Sequence, residues 1–538
     1  MKQISPLKLI TSLLGSLHLA WANVHPITIH GHYFVNSVTK EPVRVKKQTV
    51  EAISGFYIKG IDYQPGGSSA VSSVKDPLSD PIQCARDIIL FQELGINTIR
   101  IYSVNPDLDH DKCMTMLASA GIYLVLDVNS PLSNHHLNRY EPWTSYNLFY
   151  FENVFKIVQQ FSFYNNTLGF LAGNEVINDP ISASVSAPYI KAIIRDIKHY
   201  VSINSPRPIP VGYSAADDLN YRIPLAKYLE CADNNLMESV DFYGVNSYQW
   251  CGDQTFYSSG YNILVNDYKG YSKPVFFSEY GCNEVLPRNF DEVPILYTND
   301  MIDVFNGGLV YEFTQEANNY GLVEILPNGD VKLLRDFLQL KHKFESIPEL
   351  DYNFIVEAMK ENAKEIQMRI KQSQSTVPKC EVSYQNLDIS RGVPDTIVDI
   401  MIDTGVNVER GKFVHLNKSE MQTKNIFYQP NGEVFNTVYE IDVVVDFEID
   451  DENSNDKQRS HKSGTYNPQD VNDDPPNGKE KESLQSIDPN PETHKESPSS
   501  EPDQDDTNEH DEEKPNVIVE TFHKVTDSVK NFWASIFT

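Results

Sequence analysis

Short apolar runs alternate with amphipathic stretches over residues 55–345. Eight of the runs have strand length and are rich in Val, Ile, Phe and Tyr: 56–62, 97–103, 122–129, 168–173, 209–214, 241–248, 274–279 and 308–313. They lack the strict alternation of a strand with one solvent face, which indicates parallel strands buried on both faces. Helical patterns lie between them, such as residues 80–94, where Asp80 and Pro81 supply a cap and a first-turn residue. Eight such units predict an α/β fold, the (β/α)8 TIM barrel, over residues 23–345.

An open, doubly wound sheet would show the same local pattern. The barrel is favoured because no Gly-rich phosphate loop follows the first strand and because eight units suit closure. Residues 24–54 have the pattern of a β-hairpin covering the barrel bottom, and residues 346–380 read as helical. From 381 to 449, strand-like runs such as 438–447 predict either a small accessory domain or extra strands packed on the barrel.

The two ends of the chain differ from this core. Residues 1–22 have the basic start, apolar middle and Ala-Trp-Ala ending of a secretory signal peptide. Residues 450–515 hold 20 acidic against seven basic residues and few large apolar ones, which predicts a disordered acidic tract. Residues 516–538 carry apolar side chains at helical spacing and predict a short amphipathic helix. No later stretch is apolar for long enough to predict a spanning helix.

Charge and cysteine content narrow the class of protein. The net charge of −30 argues against nucleic acid and anionic membranes as partners, since both favour basic surfaces. Six cysteines in a secreted chain predict three disulfides, although six cysteines allow 15 pairings. The sequons at Asn165 and Asn417 are candidate glycosylation sites.

Two glutamates carry the strongest chemical signal. Glu175 ends the run Leu-Ala-Gly-Asn-Glu after the fourth strand candidate, and Glu279 ends Val-Phe-Phe-Ser-Glu in the seventh. The C-terminal tips of barrel strands open on one face, where catalytic groups of this fold lie. Most glutamates in any chain are ordinary surface residues, but this pair in these two settings predicts facing carboxylates. Glycosidases use such a pair of carboxyl groups to cleave a glycosidic bond, and a retaining mechanism needs the two groups about 5–5.5 Å apart.

Neighbouring residues suit the same chemistry. Asn174 is placed to donate to a sugar 2-hydroxyl. Arg100 and Tyr248, near the tips of strands two and six, are expected to keep Glu279 ionised. Glu175 must instead hold its proton near neutral pH, which a less solvated setting would favour.

At this point the sequence resembles the fungal β-1,3-glucanosyltransferases of glycoside hydrolase family 72, and most closely the spore-wall-type members. The matching stretches run from about residue 27 to 345 and include Phe-Tyr-Ile-Lys-Gly at 56–60, Asp-His-Asp-Lys-Cys at 109–113, Ala-Gly-Asn-Glu at 172–175, Val-Gly-Tyr-Ser at 211–214, Asp-Phe-Tyr-Gly-Val-Asn at 241–246 and Phe-Ser-Glu-Tyr-Gly-Cys-Asn at 277–283.

The resemblance implies roles for individual residues. Glu175 would be the proton donor and Glu279 the nucleophile. Substrate contacts would come from five residues: Tyr102, Asn174, Asp217, Arg222 and Tyr311. The loop 129–140, with Arg139, would line part of the donor cleft. The implied disulfides are Cys84–Cys113, Cys251–Cys282 and Cys231–Cys380.

The chain departs from the family in two respects. With all six cysteines assigned, none remains for the cysteine-rich glucan-binding module that some members carry. The final residues 529–538 are interrupted by Lys530 and Asn531, which does not favour the hydrophobic tail of a GPI signal. We therefore expect a secreted protein at the cell surface or wall, with GPI anchoring doubtful.

The sequence thus predicts a retaining transglycosylase that needs no cofactor and no metal. It would cleave a β-1,3-glucan internally and pass the new reducing end to another glucan. The acidic residues at 107–111 suggest helix capping rather than a metal site. Two rivals stay open at this stage: a retaining endo-β-1,3-glucanase with water as acceptor, and a non-catalytic wall protein that only binds glucan.

Overall fold

Fifteen short strands and thirteen α-helices build the described part of the chain. The computed structural model describes residues 24–37, 44–47, 50–53, 56–348, 350–373 and 375–444. The strands are β1 (Ile27–His30), β2 (Tyr33–Asn36), β3 (Arg44–Lys47), β4 (Val50–Ile53), β5 (Ile58–Asp62), β6 (Thr98–Ile101), β7 (Tyr123–Asp127), β8 (Thr167–Asn174), β9 (Val211–Ala216), β10 (Phe242–Asn246), β11 (Val275–Tyr280), β12 (Phe305–Val310), β13 (Val323–Ile325), β14 (Val331–Leu333) and β15 (Phe427–Tyr428).

Helices fill most of the connections between strands. They are α1 (Pro81–Leu94), α2 (Asp111–Ser119), α3 (Pro142–Ser145), α4 (Leu148–Phe161), α5 (Pro180–Val185), α6 (Ala187–Asn204), α7 (Arg222–Glu230), α8 (Tyr261–Tyr268), α9 (Glu292–Leu296), α10 (Asn299–Ile302), α11 (Arg335–Glu345), α12 (Tyr352–Ser373) and α13 (Asp399–Thr404), with a short 3-10 helix at Leu236–Glu238. The start of α1 is the one expected from sequence, because the Asp80 carboxylate accepts hydrogen bonds from the backbone N–H groups of Ile82 and Gln83.

Strands β5 to β12 form a closed, fully parallel barrel. Neighbours in sequence are neighbours in the sheet, and β12 pairs with β5 to complete the ring. Glycine permits close strand contacts here: a Cβ on Gly307, whose φ is +79°, would lie 2.1 Å from the Ile58 carbonyl oxygen. The TIM barrel prediction is confirmed, and the doubly wound alternative is wrong.

An apolar plug closes the N-terminal end of the barrel. Phe242 and Phe276, at the starts of β10 and β11, are fully buried, and their ring centroids are 5.9 Å apart. Phe34 of the β1–β2 hairpin packs on both rings, at 6.0 and 6.2 Å. This hairpin therefore covers the barrel bottom, as expected for residues 24–54, while β3 and β4 form a second antiparallel pair.

Residues 381–444, which we call the C-terminal belt, lie along the outside of the barrel with little regular structure. The belt contributes β15 to a small sheet with β14 and is held by polar contacts. The Arg195 guanidinium donates to the Pro394 carbonyl, the Asn204 amide to the Ile402 carbonyl, and the Val444 N–H to the Ser119 carbonyl. The predicted helical stretch before it contains α12.

The prediction of a strand at 438–447 is wrong for residues 438–444, the part of this run that the structure describes. Residues 438–444 contain only an isolated bridge between Glu440 and Gln422. Ile441 is buried, whereas Val438 and Val444 are largely exposed, so the apolar alternation does not cover a sheet face. This end of the belt contacts helices of the barrel instead of a strand: the Asp442 N–H donates to the Gln92 side chain of α1, and the Val444 N–H to the Ser119 carbonyl of α2.

Several sequence-based predictions lie outside the described residues: the signal peptide, the acidic tract and the C-terminal amphipathic helix. All described residues belong to one compact unit. Within that part of the chain, no helix combines the length and the apolar character needed to cross a bilayer.

Candidate active site

Both candidate glutamates lie at the C-terminal end of the barrel. Glu175 directly follows β8, the fourth barrel strand, and Glu279 is the penultimate residue of β11, the seventh. Both side chains are almost fully buried, at 7% and 2% exposure. The strand positions predicted from sequence are therefore the observed ones.

The Arg100 guanidinium is the centre of the site. It is fully buried and forms a two-pronged ion pair with Asp127, at 3.0 Å from Nε to Oδ1 and 2.9 Å from Nη2 to Oδ2. Its Nη1 also donates to the Glu279 carboxylate at 3.1 Å, and Nη2 to the Asn174 amide oxygen at 3.0 Å. One cation thus orients three of the polar groups at this end of the barrel.

Glu279 receives hydrogen bonds on both carboxylate oxygens. Besides Arg100, the Tyr102 hydroxyl donates to Oε1 at 2.9 Å, and the Tyr248 hydroxyl donates to Oε2 at 2.8 Å. Burial raises the pKa of Glu279 to about 7, while the Arg100 charge and the two tyrosine hydroxyls lower it. The expected contacts are present, but burial outweighs them. A substantial ionised fraction is available only near and above neutral pH.

Glu175 has a different environment. Its backbone φ is +45°, a left-handed conformation that costs a non-glycine residue about 1–2 kcal/mol. Oε1 accepts one hydrogen bond, from the Asn246 amide at 3.0 Å. Burial raises the pKa of Glu175 above its usual value, and the Asn246 hydrogen bond and the Arg139 charge offset this only in part. The setting favours a protonated carboxyl.

A short chain of side chains connects the two glutamates. The Asn246 amide donates both to Glu175 and to the Asn174 oxygen at 3.0 Å, and Arg100 joins Asn174 to Glu279. The Ser214 hydroxyl also reaches the Asn174 oxygen, at 2.8 Å. Because Arg100 has only donors, the atom facing it must be the Asn174 oxygen. In the described structure the Asn174 NH2 group makes no hydrogen bond, so it is available to a ligand.

Tyrosine rings form a wall beside Glu279. Tyr311 lies 6.3 Å from both Tyr102 and Tyr248, measured between ring centroids, in edge-to-face geometry. Tyr320 extends the wall, at 5.2 Å from Tyr311. An aromatic wall with hydroxyl groups suits the apolar face and polar rim of a sugar ring.

Asp217 and Arg222 form a neighbouring cluster beyond the end of β9. Arg222 Nη1 donates to Asp217 Oδ1 at 2.9 Å, and Nη2 donates to Asp267 at 2.5 Å. The Ser247 hydroxyl donates to the other Asp217 oxygen, and the Ser247 N–H donates to the Glu279 carbonyl. The cluster therefore borders the site through Ser247, and in the described structure neither Asp217 nor Arg222 hydrogen-bonds to a glutamate carboxyl.

Sequence reasoning missed several buried groups of the site. Asp127 and Asn246 end β7 and β10, so the strand-tip argument that selected the glutamates also applies to them. Asp62 ends β5, is fully buried, and neither carboxyl oxygen has a hydrogen-bond partner among the described residues. Burial raises the pKa of Asp62 well above its usual range and that of Glu312 to about 8. One guanidinium faces several buried carboxyls here, and most of them must be neutral.

Three disulfides join the described cysteines: Cys84–Cys113, Cys231–Cys380 and Cys251–Cys282. They are the pairs that the family resemblance implies. The third joins the loops that follow β10 and β11, so it fixes the segment beside Glu279.

Other candidates from the sequence have local roles. His110 lies between Asp76, at 2.7 Å from its Nε2, and Gln160, at 3.1 Å from its Nδ1. Asp111 accepts from the Tyr164 hydroxyl. Asn165 and Asn417 are both exposed, as a glycosylation acceptor must be, and their modification stays a prediction.

Comparison with known proteins places this geometry in a family. The family model described as glucanosyltransferase, of glycoside hydrolase family 72, matches residues 16–348. The chain belongs to this family. Among its relatives, the 1,3-beta-glucanosyltransferase GAS4 of Saccharomyces cerevisiae is 52% identical over 462 residues, covering 84% of this chain and 93% of that protein. The 1,3-beta-glucanosyltransferase gel2 of Aspergillus fumigatus is 44% identical, covering 76% and 81%.

Solved structures of the family agree with the barrel. Gas2p of Saccharomyces cerevisiae, in complex with laminaritriose and laminaritetraose, matches with a TM-score of 0.58 and 37% identity, over 69% of this chain and 77% of that one. A second Gas2 structure, in complex with a small compound, matches with a TM-score of 0.57 and 36% identity, over 69% and 76%. The family 72 resemblance noted in the sequence is confirmed.

Proposed function

We propose that this family 72 protein is a retaining β-1,3-glucanosyltransferase with Glu279 as nucleophile and Glu175 as acid/base. The observation that carries the proposal is the difference between the two carboxyls at one end of the barrel. Glu279 accepts hydrogen bonds from a guanidinium and two phenols, whereas Glu175 accepts a single amide hydrogen bond. The relatives named as 1,3-beta-glucanosyltransferases support the same substrate class.

In the first half-reaction, an ionised Glu279 oxygen attacks the anomeric carbon of an internal glucosyl residue. The bond from that carbon to the O3 of the next residue breaks, and Glu175 gives its proton to the departing O3. The product is a glycosyl ester on Glu279 and a released glucan fragment. The free NH2 of Asn174 would donate to the 2-hydroxyl, an interaction that strengthens in the transition state.

In the second half-reaction, Glu175 acts as a base. It takes the proton from the 3-hydroxyl at the non-reducing end of a second glucan, and that oxygen attacks the anomeric carbon. The ester bond to Glu279 breaks and its carboxylate is restored. One glucan is lengthened at the expense of another. Tyr248 and Tyr311 would hold the acceptor against the aromatic wall and reduce the access of water to the ester.

Three further residues have supporting roles in the proposal. The Arg139 charge acts on Glu175, and Arg139 belongs to the loop 129–140 that would line the donor cleft. Asp217 and Arg222, bordering the site through Ser247, would contact hydroxyls of the bound glucan. These assignments rest on placement and on the family.

We also propose that the protein works outside the plasma membrane, at the cell wall. Three disulfides are typical of an oxidising compartment, and a glucan substrate is found in the wall.

The product profile from a single laminari-oligosaccharide tests the function. Products longer than the starting sugar require transfer. Shorter products alone would identify a hydrolase, and glucan binding without products would identify a non-catalytic protein. Early products analysed by NMR should retain the β-configuration; inversion would exclude the covalent mechanism.

A further inference from the structure

A buried lysine in the helical layer around the barrel has no role in the proposed reaction. Lys191, in the first half of α6, is only 1% exposed. Its ammonium donates to the carbonyl oxygens of Tyr228 and Cys231, each at 2.8 Å. The same nitrogen lies 3.1 Å from the Cys231 sulfur and 3.3 Å from the Cys380 sulfur. One cation therefore contacts both sulfur atoms of a disulfide bond.

This ammonium has no carboxylate partner in the described part of the chain. Its hydrogen-bond acceptors there are the two carbonyl oxygens and the two sulfurs, and the Tyr228 ring centroid lies 4.4 Å from the nitrogen. Burial lowers the pKa of Lys191 to about 8, although the charges of Glu238 and Asp233 act to raise it. The group is therefore still charged at neutral pH, and a buried charge without a counter-ion is costly.

Reduction of the neighbouring disulfide would create the missing anion. An ammonium beside a cysteine lowers the pKa of its thiol, and a disulfide opens faster when the departing sulfur has a low thiol pKa. The Tyr384 hydroxyl donates to the Cys231 sulfur at 3.1 Å and would stabilise the same thiolate. The Tyr228 carbonyl oxygen, 3.2 Å from this sulfur, would oppose it, but that oxygen already accepts from Lys191.

The two cysteines of this pair differ in access. Cys231 is 1% exposed, whereas Cys380, the residue before the C-terminal belt, is half-buried. An external thiol would therefore attack Cys380, and Cys231 would be the leaving group. The exposed Lys379 favours the approach of an anionic thiolate, while Asp233, which accepts from the Cys380 N–H, and the exposed Glu381 oppose it.

The other two disulfides have different surroundings. Both residues of Cys84–Cys113 are buried, at 3% and 1% exposure, so an external thiol has no access to either. Cys251 is half-buried, but the Glu284 carboxylate lies within 4.8 Å of both sulfurs of Cys251–Cys282. A carboxylate at this distance raises the pKa of a thiol and disfavours the thiolate. The protein thus carries a matched comparison, with an ammonium beside one accessible disulfide and a carboxylate beside the other.

The disulfide next to Lys191 also attaches the C-terminal belt to α7. It joins two residues that are 149 positions apart in the sequence. The Ala232 N–H donates to the Pro378 carbonyl beside it, and the Asp388 N–H donates to the Ala183 carbonyl further along the belt. A cross-link that closes so long a loop strongly restricts the unfolded chain, so its loss lowers stability.

We propose that Cys231–Cys380 is a site of thiol–disulfide exchange, at which a small external thiol forms a mixed disulfide with Cys380 and so releases the C-terminal belt from α7. The attacking thiolate bonds to the Cys380 sulfur while the bond between the two protein sulfurs breaks, and Cys231 leaves as a thiolate beside the Lys191 ammonium. A second external thiolate then attacks the external sulfur of the mixed disulfide, and Cys380 leaves as a thiolate.

Two external thiols are thereby oxidised to their own disulfide, and the protein disulfide is reduced by two electrons. The external disulfide reverses the sequence. This site is separate from the glutamates, so the inference does not rest on the proposed glucanosyltransferase reaction.

The order in which the disulfides open tests the proposal. The full-length protein is incubated with glutathione under native conditions and quenched with iodoacetamide at intervals, and the labelled cysteines are assigned by peptide mass spectrometry. Cys231 and Cys380 should become reduced at least about tenfold faster than the other four cysteines, and the glutathione adduct should be on Cys380. Equal rates for all six cysteines, earlier opening of Cys251–Cys282, or an adduct on Cys231 would overturn the proposal.

Lys191→Met separates the exchange role from helix capping, because the ammonium also binds carbonyls at the end of α7. If it stabilises the Cys231 thiolate, its removal should slow the reduction of Cys231–Cys380 about tenfold, and Lys191→Arg should recover most of the rate. If it only caps the helix, the unfolding temperature should fall while reduction stays as fast as in the wild type, which would overturn the proposal.

Glu284→Lys tests the same principle with Lys191 in place. It exchanges the carboxylate beside Cys251–Cys282 for an ammonium on an exposed side chain, so this disulfide should open about tenfold faster than in the wild type. Glu409→Lys, at an exposed residue of the belt, is the matched control and should change no rate. An unchanged rate in Glu284→Lys would show that the neighbouring charge does not control opening and would overturn the proposal.

Release of the belt has its own readout. After selective reduction of Cys231–Cys380 the unfolding temperature should fall by about 5 °C, and it should recover on reoxidation with glutathione disulfide. The double variant Cys231→Ala with Cys380→Ala should show the same loss without any response to glutathione. An unfolding temperature that reduction leaves unchanged would overturn the claim that this disulfide holds the belt.

Discussion

The two ends of the barrel interior are built from the same eight strands but differ in chemistry. At the N-terminal end, Phe34, Phe242 and Phe276 fill the barrel with apolar contacts. At the C-terminal end, Arg100 holds together several buried carboxyls, most of which have a raised pKa. The N-terminal end therefore stabilises the fold, whereas the C-terminal end buries charged groups that reduce stability and serve the proposed reaction.

The largest effect is expected from Glu279→Gln. Activity should fall at least about a thousandfold, because the amide cannot form the glycosyl ester. The fold should survive, since the Gln oxygen can accept from Arg100 and Tyr102 and its NH2 can donate to the Tyr248 oxygen. Assays for elongated oligosaccharides should show the loss. Retained turnover would contradict the nucleophile assignment.

The same variant should be more stable than the wild type at pH values above about 7. The folded-state pKa of Glu279 is raised above its usual 4.5, so ionisation of this group destabilises the fold as the pH rises through about 7. Gln does not ionise. The gain in unfolding temperature should disappear below pH 4.5, and a gain of the same size at every pH would contradict the electrostatic explanation.

Arg100→Met should impair both stability and activity. It leaves Asp127 without its buried ion-pair partner, which should lower the free energy of unfolding by about 3–5 kcal/mol. Chemical denaturation measures the loss. The double variant Arg100→Met with Asp127→Leu removes the isolated charge and should recover part of the stability without activity; no recovery would show that the ion pair is not the cause.

Phe276→Ala tests the apolar end. Loss of a fully buried ring from the plug should lower the free energy of unfolding by about 3–5 kcal/mol. The product profile per folded molecule should stay that of the wild type, because the ring lies at the opposite end from the glutamates. Phe276→Leu should lower the free energy of unfolding by less. A changed product profile in either variant would show that the two ends of the barrel do not act independently.

Tyr248→Phe should have the smallest effect. Its hydroxyl lowers the pKa of Glu279, so its removal should move the acidic limb of the pH profile of kcat/KM to higher pH. The value of kcat/KM at the optimal pH should fall about tenfold. The matched change Tyr257→Phe, at an exposed tyrosine, should leave the profile unmoved. A shift to lower pH for Tyr248→Phe would contradict the direction given by the hydrogen bond.

The sequence predicted the barrel and its two glutamates because both depend on local patterns: strand-length apolar runs and carboxyls at their tips. It did not reveal Asp62, Asp127 or Asn246 as members of the site, although each ends a barrel strand. A polar residue at a strand tip becomes informative only when closure of the barrel shows which tips converge. The strand predicted at 438–447 failed for a different reason. Apolar alternation leads to a strand only where a neighbouring strand can pair with it, and no strand of the described structure pairs with residues 438–444.

The C-terminal belt has a consequence for where the folding unit ends. Leu416, Met421 and Phe427 are buried against the barrel, and the Lys412 and Val414 N–H groups donate to side chains of α2. A polypeptide stopped at residue 345 would keep every barrel strand and both glutamates, yet it would uncover this apolar surface and leave it prone to aggregation. Anyone trimming the gene for expression should therefore retain the codons through residue 444.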